Sequence, residues 1–255
     1  MDELTPEQQL EAKMREEWDR RARENARYYV NTARKEWTDE EFFASGERTV
    51  AEEILTDMIN ICQGRDPKRM RVLEIGCGTG RVTQALARVF GEVYAVDVSG
   101  EMVRQAREAL ADLDNVHIEQ NNGRDLSVLG NVRFDFAFSS IVFQHIPSKE
   151  IIENYVREVH RLLRRGGLFK FQVQGDPTIQ RAPDDTWIGV AFSDEEAVDM
   201  ALRCGFEPRY RHGAGTQYFW LWFFRKWRAW QRGRYFLRRA AQYSRMRWET
   251  LRRSS

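Results

Sequence analysis

Short apolar runs alternate with helical stripes along most of this chain. Val72, Leu73 and Ile75 form one run. It ends in Gly76, Gly78 and Gly80, and a stripe at Val82, Leu86 and Val89 follows at helical spacing. Strands are expected over 71–75, 92–97, 115–120, 133–139 and 168–174, with helices over 80–90, 100–111 and 150–164. Such alternation implies a parallel sheet with helices on both faces. Ser193-Asp-Glu-Glu196 caps a further helix ending near Gly205, and strands near 207–212 and 216–224 complete the pattern. Upstream, Thr5-Pro-Glu-Gln8 joins a capping box to a proline at the first helical position. A helix is therefore expected from Pro6 through charged sequence to about Ala33. Thr38-Asp-Glu-Glu41 opens a short helix, and Val50, Ile54, Met58 and Ile61 mark a third.

With 255 residues there is room for one α/β domain plus extensions. The acidic start, Met1-Asp-Glu-Leu-Thr, has no apolar stretch of the secretory type, and Tyr218–Phe224 is too short to span a bilayer. Three cysteines, Cys62, Cys77 and Cys204, have no metal-ligand spacing and fit a reducing compartment. Charge is unevenly placed. Residues 225–255 hold eleven Lys/Arg against Glu249, a net of +10, so against +1 for the whole chain the first 224 residues sum to −9. Three units are expected: helical lead-in and lid over 1–62, a ligand-binding domain over 63–224, and a basic aromatic helical tail over 225–255.

The glycine turn lets backbone come close to a ligand. A dinucleotide fingerprint would need glycine at 81, where Arg81 stands, so the turn suits a ligand without a pyrophosphate. The segment Val72-Leu-Glu-Ile-Gly-Cys-Gly-Thr-Gly80 resembles motif I of the class I S-adenosylmethionine-dependent methyltransferases. Ala95-Val-Asp-Val-Ser99, Asn121-Asn-Gly-Arg-Asp-Leu126, Phe134–Ile146 and Arg164-Arg-Gly-Gly-Leu168 extend the resemblance over about residues 70–224. It implies a Rossmann-like fold whose seven-stranded, mostly parallel sheet has an antiparallel last strand.

The same resemblance implies an S-adenosyl-L-methionine site. Glu74 meets the ammonium through water, Gly76, Cys77, Gly78 and Gly80 line the backbone turn, and Asp97 takes the ribose hydroxyls. Asn122 and Gly123 face adenine with Met102 beneath, Asn122 standing where the family more often has an acid. Ser140 lies beside the sulfonium, Arg48 pairs with the methionine carboxylate, and Tyr28 or Tyr29 closes the site from a leading helix over Trp18–Tyr29. His145 is the candidate base for a hydroxyl acceptor, because imidazole titrates in the useful range. Trp187 and Gly189, in the long segment Gly175–Phe192, and Gln217 with His212 and Tyr218, are candidates for the acceptor pocket.

Residues 219–248 interleave aromatics with arginines. This fits a helix docked on the acidic body or joining copies of the chain, an anionic membrane surface, or nucleic acid. The expected activity is methylation of a small-molecule, lipid or glycan-like acceptor, at oxygen or else nitrogen, in a cytoplasmic protein that is peripheral where the tail meets a membrane. Alternatives are RNA or protein methylation, or an idle cofactor-binding scaffold. Nucleic acid is disfavoured: Ser139-Ser-Ile-Val replaces the Asn/Asp-Pro-Pro-aromatic signature of base-amine methylation, and no Pro-Cys nucleophile occurs.

Overall fold

The computed structural model describes residues 5–179 and 186–227. Seven strands form one sheet: β1 (Arg71–Ile75), β2 (Glu92–Asp97), β3 (Val116–Gln120), β4 (Phe134–Ser139), β5 (Leu163–Val173), β6 (Phe206–His212) and β7 (Phe219–Arg225). Their spatial order is β3-β2-β1-β4-β5-β7-β6. β7 is antiparallel to β5 and β6, and the remaining pairs are parallel. The expected alternation, seven strands and antiparallel last strand are all present.

β4 is buried along its whole length, as a central strand covered on both faces must be. Phe136 and Phe138 pack into one layer with Leu86 and Phe90, while Ala137 joins Val156 and Phe171 in the other. The helices are α1 (Pro6–Val30), α2 (Asp39–Glu53), α3 (Met58–Cys62), α4 (Arg81–Val89), α5 (Gly100–Ala109), α6 (Lys149–Leu162) and α7 (Asp194–Arg203). All three capping boxes form, at Thr5, Thr38 and Ser193.

Two helices differ from expectation. α1 stops at Val30 and is kinked at Asn25, whose backbone leaves the helical region (φ −164°, ψ 81°). The Asn25 side chain explains the break. Its Oδ1 accepts from Tyr28 N–H at 3.1 Å, capping the last turn afresh, and its Nδ2 donates to Lys35 O at 2.9 Å. Downstream, Val50 belongs to α2 rather than to a separate third helix. A 3₁₀ turn at Leu55–Asp57 then separates α2 from the short α3, and the Thr56 hydroxyl takes the Glu52 carbonyl at 2.5 Å.

The three cysteines are buried thiols without disulfides. Among the described residues no helix is long and apolar enough to cross a membrane, and no cluster of metal-binding side chains occurs. The expected tail begins inside β7. Residues 228–255 lie outside the described residues, and the docking, membrane and nucleic-acid readings of the tail lie there with them.

α2 and α4 touch at Gly46. A Cβ there would sit 1.9 Å from the Arg81 carbonyl oxygen, which is backbone and cannot swing away. Gly46→Ala is therefore expected to destabilise the fold by about 1–3 kcal/mol through overpacking. Urea unfolding measures this, and an unchanged midpoint would mean that the two helices separate easily.

Candidate functional site

Strand order reverses between β1 and β4, so a crevice opens beyond the carboxyl ends of β1, β2 and β4. The glycine turn after β1 forms its floor. Gly76 N–H and Cys77 N–H both donate to Val96 O, at 2.7 and 3.1 Å, tying the end of β1 to β2. Gly76 and Gly78 have φ of +77° and +53°, which a side chain would strain. They are also covered: a Cβ at Gly76 would meet Val142, and one at Gly78 would meet Val30 of α1. Asp97, at the end of β2, accepts from Gly78 N–H and from Ser99 N–H, each at 2.9 Å. Burial raises its carboxyl above the ordinary value, and these backbone donors pull the other way.

Glu74 is the second acid of the crevice. It is 4% exposed and accepts from the Thr83 hydroxyl at 2.6 Å. Burial pushes its pKa up to about 7, against the opposing pull of Thr83 and of Arg81. Arg81 also lines the crevice and is buried. Its guanidinium donates to Ser45 O and Thr49 Oγ1, at 2.9 and 3.0 Å, while its Nε is buried without a partner.

α1 roofs the crevice and is pinned at several points. Asp19 accepts from the Ser99 hydroxyl at 2.6 Å and from Glu101 N–H at 3.1 Å, so a side chain of α1 caps the first turn of α5. Gln105 Nε2 donates to Ala22 O at 3.3 Å, and Arg15 donates to Asn122 O at 3.0 Å. Trp18, His145, Trp187 and Tyr29 then pack ring against ring, with centroids 5.0–6.1 Å apart.

The segment after β4 makes the third wall. Ile141 has φ of +56°, a conformation a β-branched residue seldom adopts, and its N–H is held by Gln172 Oε1 at 3.0 Å. Gln172 Nε2 donates to Gln144 Oε1 at 2.5 Å and to Gln217 O at 3.0 Å. Gln144 Nε2 meets His145 Nε2 at 3.2 Å, and His145 Nδ1 meets the Trp187 carbonyl. Segment 187–190 is fastened to this wall by Gly189 N–H to Gln144 O at 2.7 Å and Val190 N–H to Ile146 O at 3.1 Å.

Of the residues expected from sequence, the crevice brings together Glu74, Gly76, Cys77, Gly78, Asp97, Met102, Gly123, Ser140, Tyr29 and His145. Others lie elsewhere. Gly80 opens α4 with φ +85° and packs beneath Leu110, so close helix packing is its constraint. Asn122 spends its Oδ1 on Arg124 N–H and Asp125 N–H, at 2.9 and 2.8 Å, closing an Asx turn instead of facing a base. Its neighbour Asn121 lines the crevice. Tyr28 turns to the side of Tyr29. Arg48 is exposed on α2, while Arg81 lines the crevice. Trp187 stacks behind His145, and Gln217 contributes its backbone carbonyl to Gln172. His145, the expected base, lines the crevice at 5% exposure with both ring nitrogens engaged.

Sequence reasoning missed Met14, Val30, Arg81, Asn121, Val142 and Tyr155 on the lining, and Asp19 as the pin of α1. One signal was present for Arg81: an arginine directly after the glycine turn must lie at the mouth of α4.

Residues 72–167 match the profile of a methyltransferase domain. The chain is 32% identical over 165 residues to the malonyl-[acyl-carrier protein] O-methyltransferase of Salmonella typhimurium, covering 60% of this chain and 58% of that one. It is also 32% identical over 98 residues to a ubiquinone biosynthesis O-methyltransferase of Xanthomonas oryzae, covering 38% and 40%. The chain thus spans about half the length of the curated relatives it matches. Among solved structures, magnesium protoporphyrin IX methyltransferase from Synechocystis with bound SAH superposes with a TM-score of 0.60 at 16% identity, over 84% of this chain and 98% of that one. The DhpI-SAM-HEP complex gives 0.60 at 19% identity, over 84% and 97%. These likenesses concern the fold.

If Asp19 pins the roof, Asp19→Ala should lower stability by about 1–2 kcal/mol, the loss typical of a helix cap. Amide exchange over 6–24 should speed up while β1 and β4 keep their protection. Unchanged exchange in α1 would show that ring packing alone holds it.

Proposed function

We propose that this chain, which belongs to the class I S-adenosylmethionine-dependent methyltransferases, transfers a methyl group from S-adenosyl-L-methionine to an oxygen of a small-molecule acceptor. The observation that carries this reading is the crevice at the strand-order reversal, with opposite charges placed for an amino acid at one end. Glu74 offers a carboxylate for an ammonium, and buried Arg81, with an unpartnered Nε, offers a cation for a carboxylate. Asp97 carries two accepted hydrogen bonds, and a carboxylate has about four acceptor positions, so capacity remains for a ribose diol. Val98, Met102 and Gly123 provide an apolar slot suited to a purine. These residues fit the group.

When bound, S-adenosylmethionine supplies an electrophilic methyl on a cationic sulfur. The protein's task is alignment. Trp18 and Tyr29 in the roof exclude water and present π faces favourable to a sulfonium. Alignment of two reactants can remove ~7–11 kcal/mol of barrier. The names of the matched relatives, O-methyltransferases of malonyl-[acyl-carrier protein] and of ubiquinone biosynthesis, support oxygen as the acceptor atom.

Glu74 gives the test. Its pKa of about 7 in the ligand-free protein means that an ammonium partner, which needs the carboxylate, must displace a proton below that pH. The sign follows: S-adenosylhomocysteine affinity should fall as pH drops through 7, and binding there should release a proton. Calorimetry in buffers of different ionisation enthalpy measures the release. Glu74→Gln should abolish it. Absence of binding at any pH would defeat the methyltransferase reading, whereas pH-independent binding would remove Glu74 from the contact.

A further inference from the structure

We propose that Ile141 is a side chain by which this enzyme selects its acceptor, and that Gln172 is the positioning residue that aims it; this rests on the methyltransferase reading above. Ile141 and Gln63 are the two non-glycine residues with positive φ among the described residues. Gln63 has an ordinary reason, since it ends α3 as a left-handed C-cap. Ile141 ends no helix. Its φ of +56° is carried by a β-branched residue, for which that region is a true outlier. Strain of this kind persists where the surroundings enforce it, and it gathers at sites that handle ligands. Burial does not offset it here, because Ile141 is 41% exposed.

The turn is enforced from three sides. Before it, the Ser139 hydroxyl donates to Ile75 O at 2.8 Å, tying β4 to β1. After it, Val142 packs on Gly76, where a Cβ would come within 2.2 Å of it. Between them, Ile141 N–H donates to Gln172 Oε1 at 3.0 Å. Gln172 is fully buried in β5, and its Nε2 donates to Gln144 Oε1 at 2.5 Å and to Gln217 O at 3.0 Å. Ile141 N–H only donates and Gln217 O only accepts, so the Gln172 amide has one orientation. With the N–H pinned, rotation about N–Cα to an ordinary negative φ would swing the side chain from its place on the crevice lining. One buried amide therefore sets where the isoleucine stands.

That place suits the acceptor rather than the cofactor. Asp97 ends β2, Glu74 lies on β1, and Ile141 follows β4, so β1 separates Ile141 from the Asp97 carboxylate. Ile141 borders the crevice and also meets solvent, as a residue at its mouth does. Its side chain brings neither charge nor a hydrogen-bonding group, so it acts through shape and apolar contact. Contacts of that kind serve ground state and transition state alike, which places their effect in KM.

The test compares the full chain with Ile141→Gly, using methyl-labelled S-adenosylmethionine and serial dilutions of a deproteinised extract of the native host. Glycine should raise the apparent KM for extract by about 10-fold or more, the loss of one apolar side-chain contact. The kcat should stay within about threefold and S-adenosylhomocysteine affinity within about twofold. The thermal midpoint should hold or rise, since glycine takes a positive φ without strain. An unchanged KM would overturn the selecting role, and a lowered midpoint would make Ile141 a packing residue instead. Native chain that fails to bind S-adenosylhomocysteine would defeat the reading beneath. Gln172→Met should raise KM alone yet add little to Ile141→Gly, because it acts through Ile141. Additive effects would overturn its assignment. Two measurements on the native chain need neither the Gln172 variant nor turnover. The Ile141 amide hydrogen should exchange slowly although the residue is exposed, and fast exchange would overturn the hold by Gln172. The Ile141 methyl resonances of the S-adenosylhomocysteine complex should shift as extract is added, and unmoved resonances would overturn the contact.

Discussion

The carboxylate of Asp97 has to be satisfied where it is buried, and the arrangement of the strand ends follows from how that is done. Its two oxygens take Gly78 N–H and Ser99 N–H, so one side chain fixes both the glycine turn after β1 and the entry to α5. Hydrogen bonds to a charged group are worth about 1.5–3 kcal/mol each, and an unsatisfied buried carboxylate costs more. The turn after β1 therefore cannot drift from β2. Ser99 passes the constraint on, since its hydroxyl donates to Asp19 and registers α1 against the same two strand ends. Floor and roof share one reference point.

That dependence explains the break in α1. The break at Asn25 lets the following turn set Val30 onto Gly78, while Asp19 and Ala22 stay on α5. Gly78 thus answers two demands, a positive φ and contact with the roof. The roof buries little apolar surface along its charged length, and its hold comes from discrete polar pins and a few rings.

Much of this was legible in the sequence, for definite reasons. The strands and their alternation follow from apolar runs in a sheet covered on both faces. The glycine turn and Asp97 follow from spacing along contiguous chain, and the capping boxes are local. Most of the misses are relations between distant segments, Asn122 being the local one. Asn122 was placed against a base from its position alone, but its side chain is claimed by Arg124 and Asp125 three residues away or less. Arg48 and Arg81 were both visible as arginines, and only the packing of α2 on α4 decides which reaches the crevice. The break of α1 depends on Lys35 supplying a carbonyl ten residues on. His145 looked like a base because nothing in its own neighbourhood shows Gln172 and Trp187 closing on it.

His145 and Glu74 illustrate two ways of holding a proton inside one crevice. At Glu74 the proton is loosely settled, because burial lifts the carboxyl to about neutrality against the Thr83 hydroxyl and the nearby Arg81 cation. A cationic partner there displaces it easily, which suits a group that must answer to ligand binding. At His145 both ring nitrogens are engaged, Nε2 by the Gln144 amide and Nδ1 by the Trp187 carbonyl. A side chain held this way serves as a strut between the wall after β4 and segment 187–190. Methyl transfer tolerates that assignment well: displacement at carbon asks for a line through acceptor, methyl and sulfur, and rigid walls keep that line better than a ring left loose to shuttle protons.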